Sequence, residues 1–220
     1  MKILALEFSS SLRSVAVCEF HPTTGVLERQ GVAVEEGERS SRVVGLVENA
    51  LQEAGLHRDE IDRFAVGLGP GSYTGIRAAL AIVRGWQLGR PAGLTGLSSV
   101  EILARQSFME GLRGKWNIAI DAQRKEFYLA GYDLVGEEAE LVEPLRIVTE
   151  AEMRERTARG EQFLGPDAAK FVATGLTRYP SARVLAELAL RQGGLGDGEG
   201  LEPIYLRETA FVKAPPPGTF

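Results

Sequence analysis

The feature that most restricts the fold of this 220-residue chain is a glycine-rich turn between an apolar strand and an apolar helix. The segment Gly67–Gly85 reads GLGPGSYTGIRAALAIVRG and contains glycines at positions 67, 69, 71 and 75. Glycine permits positive φ and close backbone approach. Two interpretations stay open, a cradle for a phosphate or another ligand at the helix N-terminus and a packing turn without a ligand. The Lys-Ser/Thr ending of a Walker A loop and the GxGxxG spacing are both missing. Ser72 or Thr74 is expected to cap the helix.

The helix after the turn, predicted to begin at Thr74 and to end near Gly89, is apolar around most of its circumference. Large apolar residues with helical spacing form one side, namely Ile76, Leu80, Val83 and Trp86. Small residues form a separate stripe at Ala78, Ala81 and Gly85. Such a helix is either fully buried or partly covered by a second chain. Arg77 and Arg84 could meet a partner's carboxylates or a phosphate, and the alternative is a core helix with two solvated arginines. We favour association through this helix.

The periodicity of apolar residues divides the chain into two halves of similar design. The first half is predicted as β-β-β-α-β-α, with elements over residues 3–8, 15–20, 26–34, 40–54, 64–69 and 74–89. In the second half, strands are predicted at 117–121, 127–134 and 145–148 and a helix at 181–192, while the rest of 137–165 is predicted to be irregular. Leu4–Glu7 aligns with Ile118–Asp121 at an offset of 114 residues (118 − 4). We therefore predict an α/β protein with two subdomains, residues 1–107 and 108–220.

Composition excludes several classes of site. The formal net charge of −5, from 25 Lys+Arg and 30 Asp+Glu, argues against a protein that binds nucleic acid unaided. Cys18 is the single cysteine, which excludes an internal disulfide, and His21 and His57 are too far apart for a helical zinc motif. No segment resembles a signal peptide or the roughly 20 apolar residues of a membrane helix, so we expect a cytoplasmic protein without membrane contact.

Two carboxylates occupy matching positions in the predicted repeat. Glu7 and Asp121 each follow an apolar strand and precede a polar turn, and the first turn supplies the hydroxyls of Ser9 and Ser10. Across a cleft, such a pair could hold a hydrated magnesium ion or act as acid and base. The alternative is two turn-forming acids at strand ends, which the residues alone favour. Glu7, Ser9, Ser10 and Asp121 are the candidates for cofactor binding, and no residue is assigned a catalytic or metal-binding role.

Four blocks of the chain resemble the bacterial TsaB (YeaZ) family. The most specific is GLGPGSYTGIRAAL at Gly67–Leu80, supported in order along the chain by ILALEFSSSLRSVAV, AIDAQRKEFYLAGY and PIYLRETA. The resemblance implies an actin-like ATPase (ASKHA) fold, in which two duplicated subdomains each consist of a mixed sheet plus helices. The chain departs from the family pattern at Glu7, where Asp is usual, and at residues 38–41, where ERSS replaces a segment that often contains histidine.

The resemblance also implies a function in forming N6-threonylcarbamoyladenosine at position 37 of tRNAs that read ANN codons. In that family TsaC makes threonylcarbamoyl-AMP, TsaD transfers the group to tRNA, and the ATPase TsaE supports turnover. A TsaB protein is the non-catalytic partner of TsaD, reaches TsaE through the TsaB–TsaD pair, contacts tRNA only indirectly and forms a homodimer when alone. It is expected to have no intrinsic cofactor, with ATP or ADP bound only at the joint interface with TsaD.

The resemblance places the partner interface on the two N-terminal helices and the glycine-rich turn. Its predicted residues are Val43, Val47, Gly69, Pro70, Gly71, Ser72, Tyr73, Thr74, Gly75, Arg77, Ala78, Ala81, Arg84 and Gly85. An ATP-binding or ATP-hydrolysing enzyme of the actin-like superfamily is the alternative, although the first turn lacks the usual Gly-Thr pairing. A metalloprotease, the older glycoprotease-like assignment, is disfavoured because the paired histidines of the metal-binding branch are missing.

Overall fold

The computed structural model describes residues 1–37, 43–89, 92–136, 138–192 and 201–206. Its strands are β1 (Lys2–Glu7), β2 (Leu12–Phe20), β3 (Leu27–Glu36), β4 (Arg63–Gly67), β5 (Gly93–Leu97), β6 (Gly114–Asp121), β7 (Glu126–Val135), β8 (Glu138–Thr149), β9 (Phe163–Gly165) and β10 (Leu176–Thr177). Its α-helices are α1 (Val43–Ala54), α2 (Tyr73–Gly89), α3 (Ser99–Met109), α4 (Glu150–Ala158), α5 (Ala168–Phe171) and α6 (Ala182–Arg191). A short 3₁₀ turn covers Arg58–Glu60. The first residues of the helix predicted at 40–54 and the end of the PIYLRETA block lie outside the described residues.

The described strands form two five-stranded sheets with the same topology. The first has the order β3-β2-β1-β4-β5 and the second, read from its outer long strand, β8-β7-β6-β9-β10. In each sheet the first three strands pair antiparallel, and the later two are parallel to the central strand. Helices follow in matching places, α1 and α2 in the first half and α4 and α5 in the second. This duplicated β-β-β-α-β-α unit is the actin-like ATPase fold, so the predicted fold class is confirmed.

The interpretation of residues 137–165 as largely irregular was wrong for the part that the structure describes. That part contains the 12-residue strand β8, helix α4 and strand β9. β8 lies at the sheet edge, and α4 buries only Met153, so neither element shows the apolar periodicity from which we predict structure. Strand β5 and helix α3 were also missed. β5 pairs with β4 at the edge of the first sheet. α3 packs against both halves, because Ile102 lies in the cluster of Ile3 and Val100 lies in the cluster of Ile118.

Helix α6, the last helix in the described part of the chain, packs against the first sheet, although it follows the second sheet in sequence. Its residues Leu185 and Ala186 are fully buried in one cluster with Ile3 and Ala5 of β1. The buried guanidinium of Arg63 donates a 2.8 Å hydrogen bond to the Ala189 carbonyl near the end of α6. The chain therefore returns to its first half before residue 190. The subdomain boundary at residue 107 stays a prediction.

Over the described ranges, no helix is both long and apolar enough to cross a bilayer.

Candidate functional site

The glycines of the β4–α2 turn are in close contact with the end of β1. A Cβ added to Gly71 would lie 2.1 Å from the Ser9 carbonyl oxygen, and one added to Gly75 would lie 2.1 Å from the Phe8 carbonyl oxygen. A Cβ on Gly67 would lie 1.9 Å from a carboxylate oxygen of Glu7. Real Cβ atoms are essentially never this close to other heavy atoms. These glycines therefore have a packing role, which is one of the two interpretations left open by the sequence.

Several amide groups of this turn are already hydrogen-bonded within the protein. The Ser72 amide donates to the Ser9 carbonyl at 2.7 Å, and the Gly69 amide donates to the Ser99 hydroxyl at 3.2 Å. The Ser72 hydroxyl accepts from the Gly75 amide at 3.2 Å, so Ser72 caps α2 as one of the two predicted residues. These donors are not free to bind a phosphate.

Helix α2 has one buried side and one open side. Its buried residues are Gly75, Ile76, Ala79, Leu80 and Val83. Its exposed residues are Tyr73, Thr74, Arg77, Ala81, Arg84, Gly85, Leu88 and Gly89, with Ala78 half-buried. A Cβ added to Gly85 would have no neighbour within 4 Å, so this part of the helix faces open space. The small-residue stripe thus lies on the open side, as association through this helix requires.

A groove of about 470 Å³ runs between α1 and α2. Apolar side chains form most of its wall, namely Val44, Val47, Leu51, Ile82 and Trp86. Glu48, Arg58 and Asp59 lie at its rim, and the Arg58 guanidinium lies 6.0 Å from the centre of a Trp86 ring. Val44 is 65% exposed. An apolar groove open to solvent between two helices is a typical protein docking surface.

Both arginines of α2 have partners within the chain. Arg84 donates a 2.7 Å hydrogen bond to the Leu201 carbonyl. Arg77 donates to the Tyr73 hydroxyl at 2.9 Å and lies 5.1 Å from the centre of the same ring. Arg77 remains on the exposed surface, where a partner carboxylate can still reach it, whereas Arg84 holds the C-terminal segment.

The predicted interface residues divide into exposed and buried sets. Those exposed are Tyr73, Thr74, Arg77, Ala81, Arg84 and Gly85, and those half-buried are Val43, Gly71, Ser72 and Ala78. Val47, Gly69, Pro70 and Gly75 are buried. In the isolated chain they therefore support the surface from beneath and are not available for direct contact with a partner. Apolar residues that the prediction omitted are more prominent. Leu88 is 91% exposed. The sequence could have indicated this, because Leu88 is an apolar residue outside the stripe of large apolar residues on α2.

A second cavity, of about 500 Å³, lies between the two sheets. Three of the four cofactor candidates, Ser9, Ser10 and Asp121, line it together with Ser72 and Lys170. Asp121 accepts hydrogen bonds from the amide and side chain of Gln123 at 2.7 Å and 3.2 Å. The cavity is lined by polar and apolar groups from both halves, and the Asp121 carboxylate within it is already hydrogen-bonded to Gln123 of its own turn.

Glu7, the fourth candidate, is buried instead of lining that cavity. Its carboxylate accepts a 2.8 Å hydrogen bond from the Ser9 amide and a 3.0 Å hydrogen bond from the Ser99 hydroxyl. Removal from water raises the pKa of Glu7 above its ordinary value, and the hydrogen bonds oppose this only in part. Glu7 and Asp121 therefore sit at matching strand ends in different surroundings. Among the described residues, no three His, Cys, Asp or Glu side chains form a group that could hold a metal ion.

Comparisons with known proteins place the chain among tRNA-modification proteins. A family model described as "TsaD: tRNA N6-adenosine threonylcarbamoyltransferase" matches residues 27–176. The chain is 27% identical to the Escherichia coli protein named tRNA threonylcarbamoyladenosine biosynthesis protein TsaB, over 98% of this chain and 99% of that protein. It is also 27% identical to the Bacillus subtilis TsaB protein, over 94% of each.

Solved structures give the same relationship. A Pseudomonas aeruginosa protein described as similar to the peptidase YeaZ matches with a TM-score of 0.75 and 27% identity, over 94% of this chain and 99% of that chain. A structure of YeaZ from Pseudomonas aeruginosa matches with a TM-score of 0.74 and 26% identity, over 93% of this chain and 99% of that chain. The match therefore extends across both sheets.

Proposed function

Because this chain belongs to the family of the TsaD model and, within it, to the TsaB (YeaZ) proteins, we propose that it serves tRNA threonylcarbamoyladenosine biosynthesis as the non-catalytic partner of TsaD. The observation that carries this proposal is the open side of α2, on which Ala81, Gly85 and Leu88 are exposed, beside the apolar α1–α2 groove. Burying such a surface against a second protein is favourable by roughly 25 cal/mol per Å² of apolar area.

The chemistry of the chain supports a partner rather than an enzyme. Glu7, the carboxylate at the strand end where a cofactor-binding acid was considered, is fully buried and hydrogen-bonded to Ser9 and Ser99. The Gly69 and Ser72 amides of the glycine-rich turn are already hydrogen-bonded within the protein. A chain built in this way offers a surface to TsaD and leaves group transfer to TsaD itself.

The remaining parts of the proposal follow from the same assignment. TsaE would be reached through the TsaB–TsaD pair, and tRNA would be contacted only indirectly, which suits the net charge of −5. The α2 surface would form a homodimer when TsaD is absent. ATP or ADP would bind only at the joint interface with TsaD, and the setting would be the cytoplasm.

A pull-down with TsaD from the same organism tests the pairing. Ala81→Arg and Gly85→Arg each place a long charged side chain on the open side of α2, and we expect either to abolish capture of TsaD. The matched control is Ala158→Arg, which makes the same change at an exposed helical alanine of α4. If the two α2 variants capture TsaD as well as the control, the interface assignment is wrong.

Modified-nucleoside analysis of tRNA tests the pathway. Depletion of this protein in its own organism should lower threonylcarbamoyladenosine in tRNAs that read ANN codons. Expression of the wild-type chain should restore the modification, and expression of the Gly85→Arg variant should not. A normal level of threonylcarbamoyladenosine after depletion would contradict the proposed function in this pathway.

The alternative function is ATP binding or hydrolysis in the cavity between the sheets. The observation that favours it is the lining of Ser9, Ser10, Ser72, Asp121 and Lys170. We expect the purified chain to release no phosphate from ATP above the rate of a heat-inactivated sample. Turnover that is lost in Asp121→Asn and kept in Asp133→Asn would support the alternative, because Asp133 lies at the opposite end of the β6–β7 strand pair.

A further inference from the structure

The carboxylate of Glu7 is fully buried beside the turn Gly69–Ser72, which leads into α2. Each of its two oxygens accepts a hydrogen bond from within the protein. We propose that Glu7 is a positioning residue that holds both ends of this turn and thereby sets where α2 begins. The positioning itself does not depend on the proposed function, whereas its consequence for pairing with TsaD rests on it.

One oxygen of Glu7 is linked to the end of the turn through Ser9. The Oε1 atom accepts a 2.8 Å hydrogen bond from the Ser9 amide. The Ser9 carbonyl accepts a 2.7 Å hydrogen bond from the amide of Ser72, the last residue before α2. Ser9 is itself buried. The position of the Ser9 backbone, and with it the acceptor for Ser72, therefore depends on the Glu7 side chain.

The other oxygen of Glu7 is linked to the start of the turn through Ser99 of α3. The Oε2 atom accepts a 3.0 Å hydrogen bond from the Ser99 hydroxyl, and that hydroxyl accepts a 3.2 Å hydrogen bond from the Gly69 amide. A hydroxyl group can donate once and still accept, so both bonds form together. Because Ser99 is fully buried, Glu7 fixes its side-chain orientation and keeps an acceptor in front of Gly69.

The space for this carboxylate is provided by Gly67 at the end of β4. A Cβ added to Gly67 would lie 1.9 Å from Oε2 of Glu7 and 2.9 Å from Oε1. A larger residue at position 67 would therefore displace the carboxylate from its place between Ser9 and Ser99. The acid of β1, the glycine of β4 and the serine of α3 thus form one set, and each is needed for the other two to hold the turn.

The turn in its place determines where the first residues of α2 lie. Tyr73 follows Ser72 directly and is 57% exposed, and Thr74 and Arg77 are exposed one turn further along the helix. A displacement of Ser72 would move these side chains, which belong to the surface proposed for pairing. Glu7 would therefore affect the affinity for TsaD while remaining buried and out of contact with it.

Amide hydrogen exchange, measured residue by residue with NMR on the full chain, tests the two links separately. In Ser99→Ala the Gly69 amide loses its acceptor while the Ser72 amide keeps its own, so exchange should accelerate roughly five- to tenfold at Gly69 alone. Glu7→Asp should give the same pattern, because the shorter acid can still accept from the amide two residues on but does not reach Ser99. Glu7→Met is unbranched and has no acceptor oxygen, and should accelerate exchange at both amides.

The matched control is Ser107→Ala, which removes the hydroxyl of a second buried serine of α3. That hydroxyl has no hydrogen-bond partner in the described part of the chain, so exchange at Gly69 and Ser72 should not change. Equal acceleration at both amides in Ser99→Ala would indicate general loosening and overturn the proposal. So would a Gly69 amide that responds to Ser99→Ala and not to Glu7→Asp. If Glu7→Met does not fold, these two variants still decide the outcome.

The consequence for pairing is measured separately, as the Kd for TsaD from the same organism. Ser99→Ala and Glu7→Asp should each raise this Kd roughly three- to tenfold, and Ser107→Ala should leave it unchanged. An unchanged Kd beside the expected exchange pattern would reject the consequence for pairing alone. A wild-type chain that does not bind TsaD would reject the proposed function, while the positioning of the turn stands on the exchange measurements.

Discussion

The two halves of the chain have one strand order but different helices. In the first half, α1 and α2 span 12 and 17 residues and bury five residues each. In the second half, α4 and α5 occupy the same places, span 9 and 4 residues, and bury one residue each, Met153 and Ala168. The duplicated sheet thus sets where helices lie, while the sequence of each half decides whether they form an apolar groove or a charged surface.

The halves also differ in what holds their helices. In the first half, α2 is held by close backbone contact, with Gly71 and Gly75 against the carbonyls of Ser9 and Phe8. In the second half, α4 is held by charge. Arg156 forms ion pairs with Glu143, Glu152 and Glu161 at 2.7, 3.0 and 3.1 Å, and its side chain is only 11% exposed. Substitutions can therefore separate the two modes of stabilisation.

The largest effect is expected at the close contact in the first half. Gly75→Ala would place a methyl group against the Phe8 carbonyl and should lower the free energy of unfolding by roughly 3 kcal/mol. Urea unfolding measures this change. Gly45→Ala in α1 is the control, because nothing lies within 4 Å of its added Cβ. Equal stability of the two variants would show that the turn relaxes and that the close contact is unimportant.

A smaller loss is expected from the charged network in the second half. Arg156→Ala should lower the free energy of unfolding by about 1–2 kcal/mol, because three carboxylates lose a shared partner. The exposed pair Arg154–Glu150 provides the control, and Arg154→Ala should change stability by less than about 0.5 kcal/mol. Salt should reduce the Arg156 effect and leave the Gly75→Ala effect unchanged. The reverse salt dependence would contradict the comparison.

The stability of the protein at acidic pH should depend on the same ion pairs around Arg156. Hydrogen bonding to Arg146 and Arg156, opposed by partial burial, lowers the pKa of Glu152 to about 2. A carboxyl group with a lowered folded-state pKa contributes stability above its ordinary pKa and loses it as the pH falls toward the folded-state value. The Arg156→Ala effect should therefore shrink between pH 5 and pH 2, as unfolding curves across that range would reveal.

Glu7 should show the opposite dependence on pH. Burial raises its pKa in the folded protein, so its contribution is full below its ordinary pKa and is lost as the pH rises through the raised value. Glu7→Gln removes this titration, and its stability relative to wild type should improve from pH 4 to pH 8. Asp121→Asn is the matched change at the other strand end, and controls for the loss of one charge. A flat difference for Glu7→Gln across this range would show that the buried carboxyl does not titrate there.

The smallest expected change is a gain. Gly85→Ala adds a methyl group within α2 where no atom lies within 4 Å, and should stabilise the chain by about 0.5–1 kcal/mol through helix propensity. Thermal unfolding of the variant provides the measurement. A loss of stability would contradict the open space at this position of α2.

The sequence predicted most elements that have apolar periodicity and missed those that lack it, with α3 as an exception, since its Val100, Leu103 and Ala104 have helical spacing but no helix was predicted there. Strands β1, β2, β4, β6 and β7 and helices α1, α2 and α6 were placed within a few residues of their observed ends. α4 carries almost only charged and small residues, and its stability comes from ion pairs with β8 and with Glu161. These partners lie outside the helix, on β8 and just after α4, so apolar periodicity does not indicate them.

For the candidate site, the helical spacing of small residues predicted the open side of α2, but it did not predict how deeply each residue is buried. Ala81 and Gly85 are exposed as the stripe implied, whereas Gly69, Pro70 and Gly75 are buried beneath the turn. The groove beside Trp86 and the stacking of Tyr205 on Tyr73 depend on segments brought together by the fold. From the sequence, the block that contains Tyr205 was identified only by its resemblance to the family, and its contact with Tyr73 was not predicted.

By itself, the sequence predicted a β-β-β-α-β-α first half, an internal repeat at an offset of 114 residues and a glycine-rich turn leading into an apolar helix, and it excluded zinc motifs built on paired histidines. Those properties follow from composition and from periodicity along the chain. Only the tertiary structure decided that Glu7 is buried while Asp121 borders a cavity, although both end equivalent strands. The reason is physical: burial depends on which elements pack over a position, and Ser99 and the β4–α2 turn cover Glu7 from segments that lie 60 or more residues away.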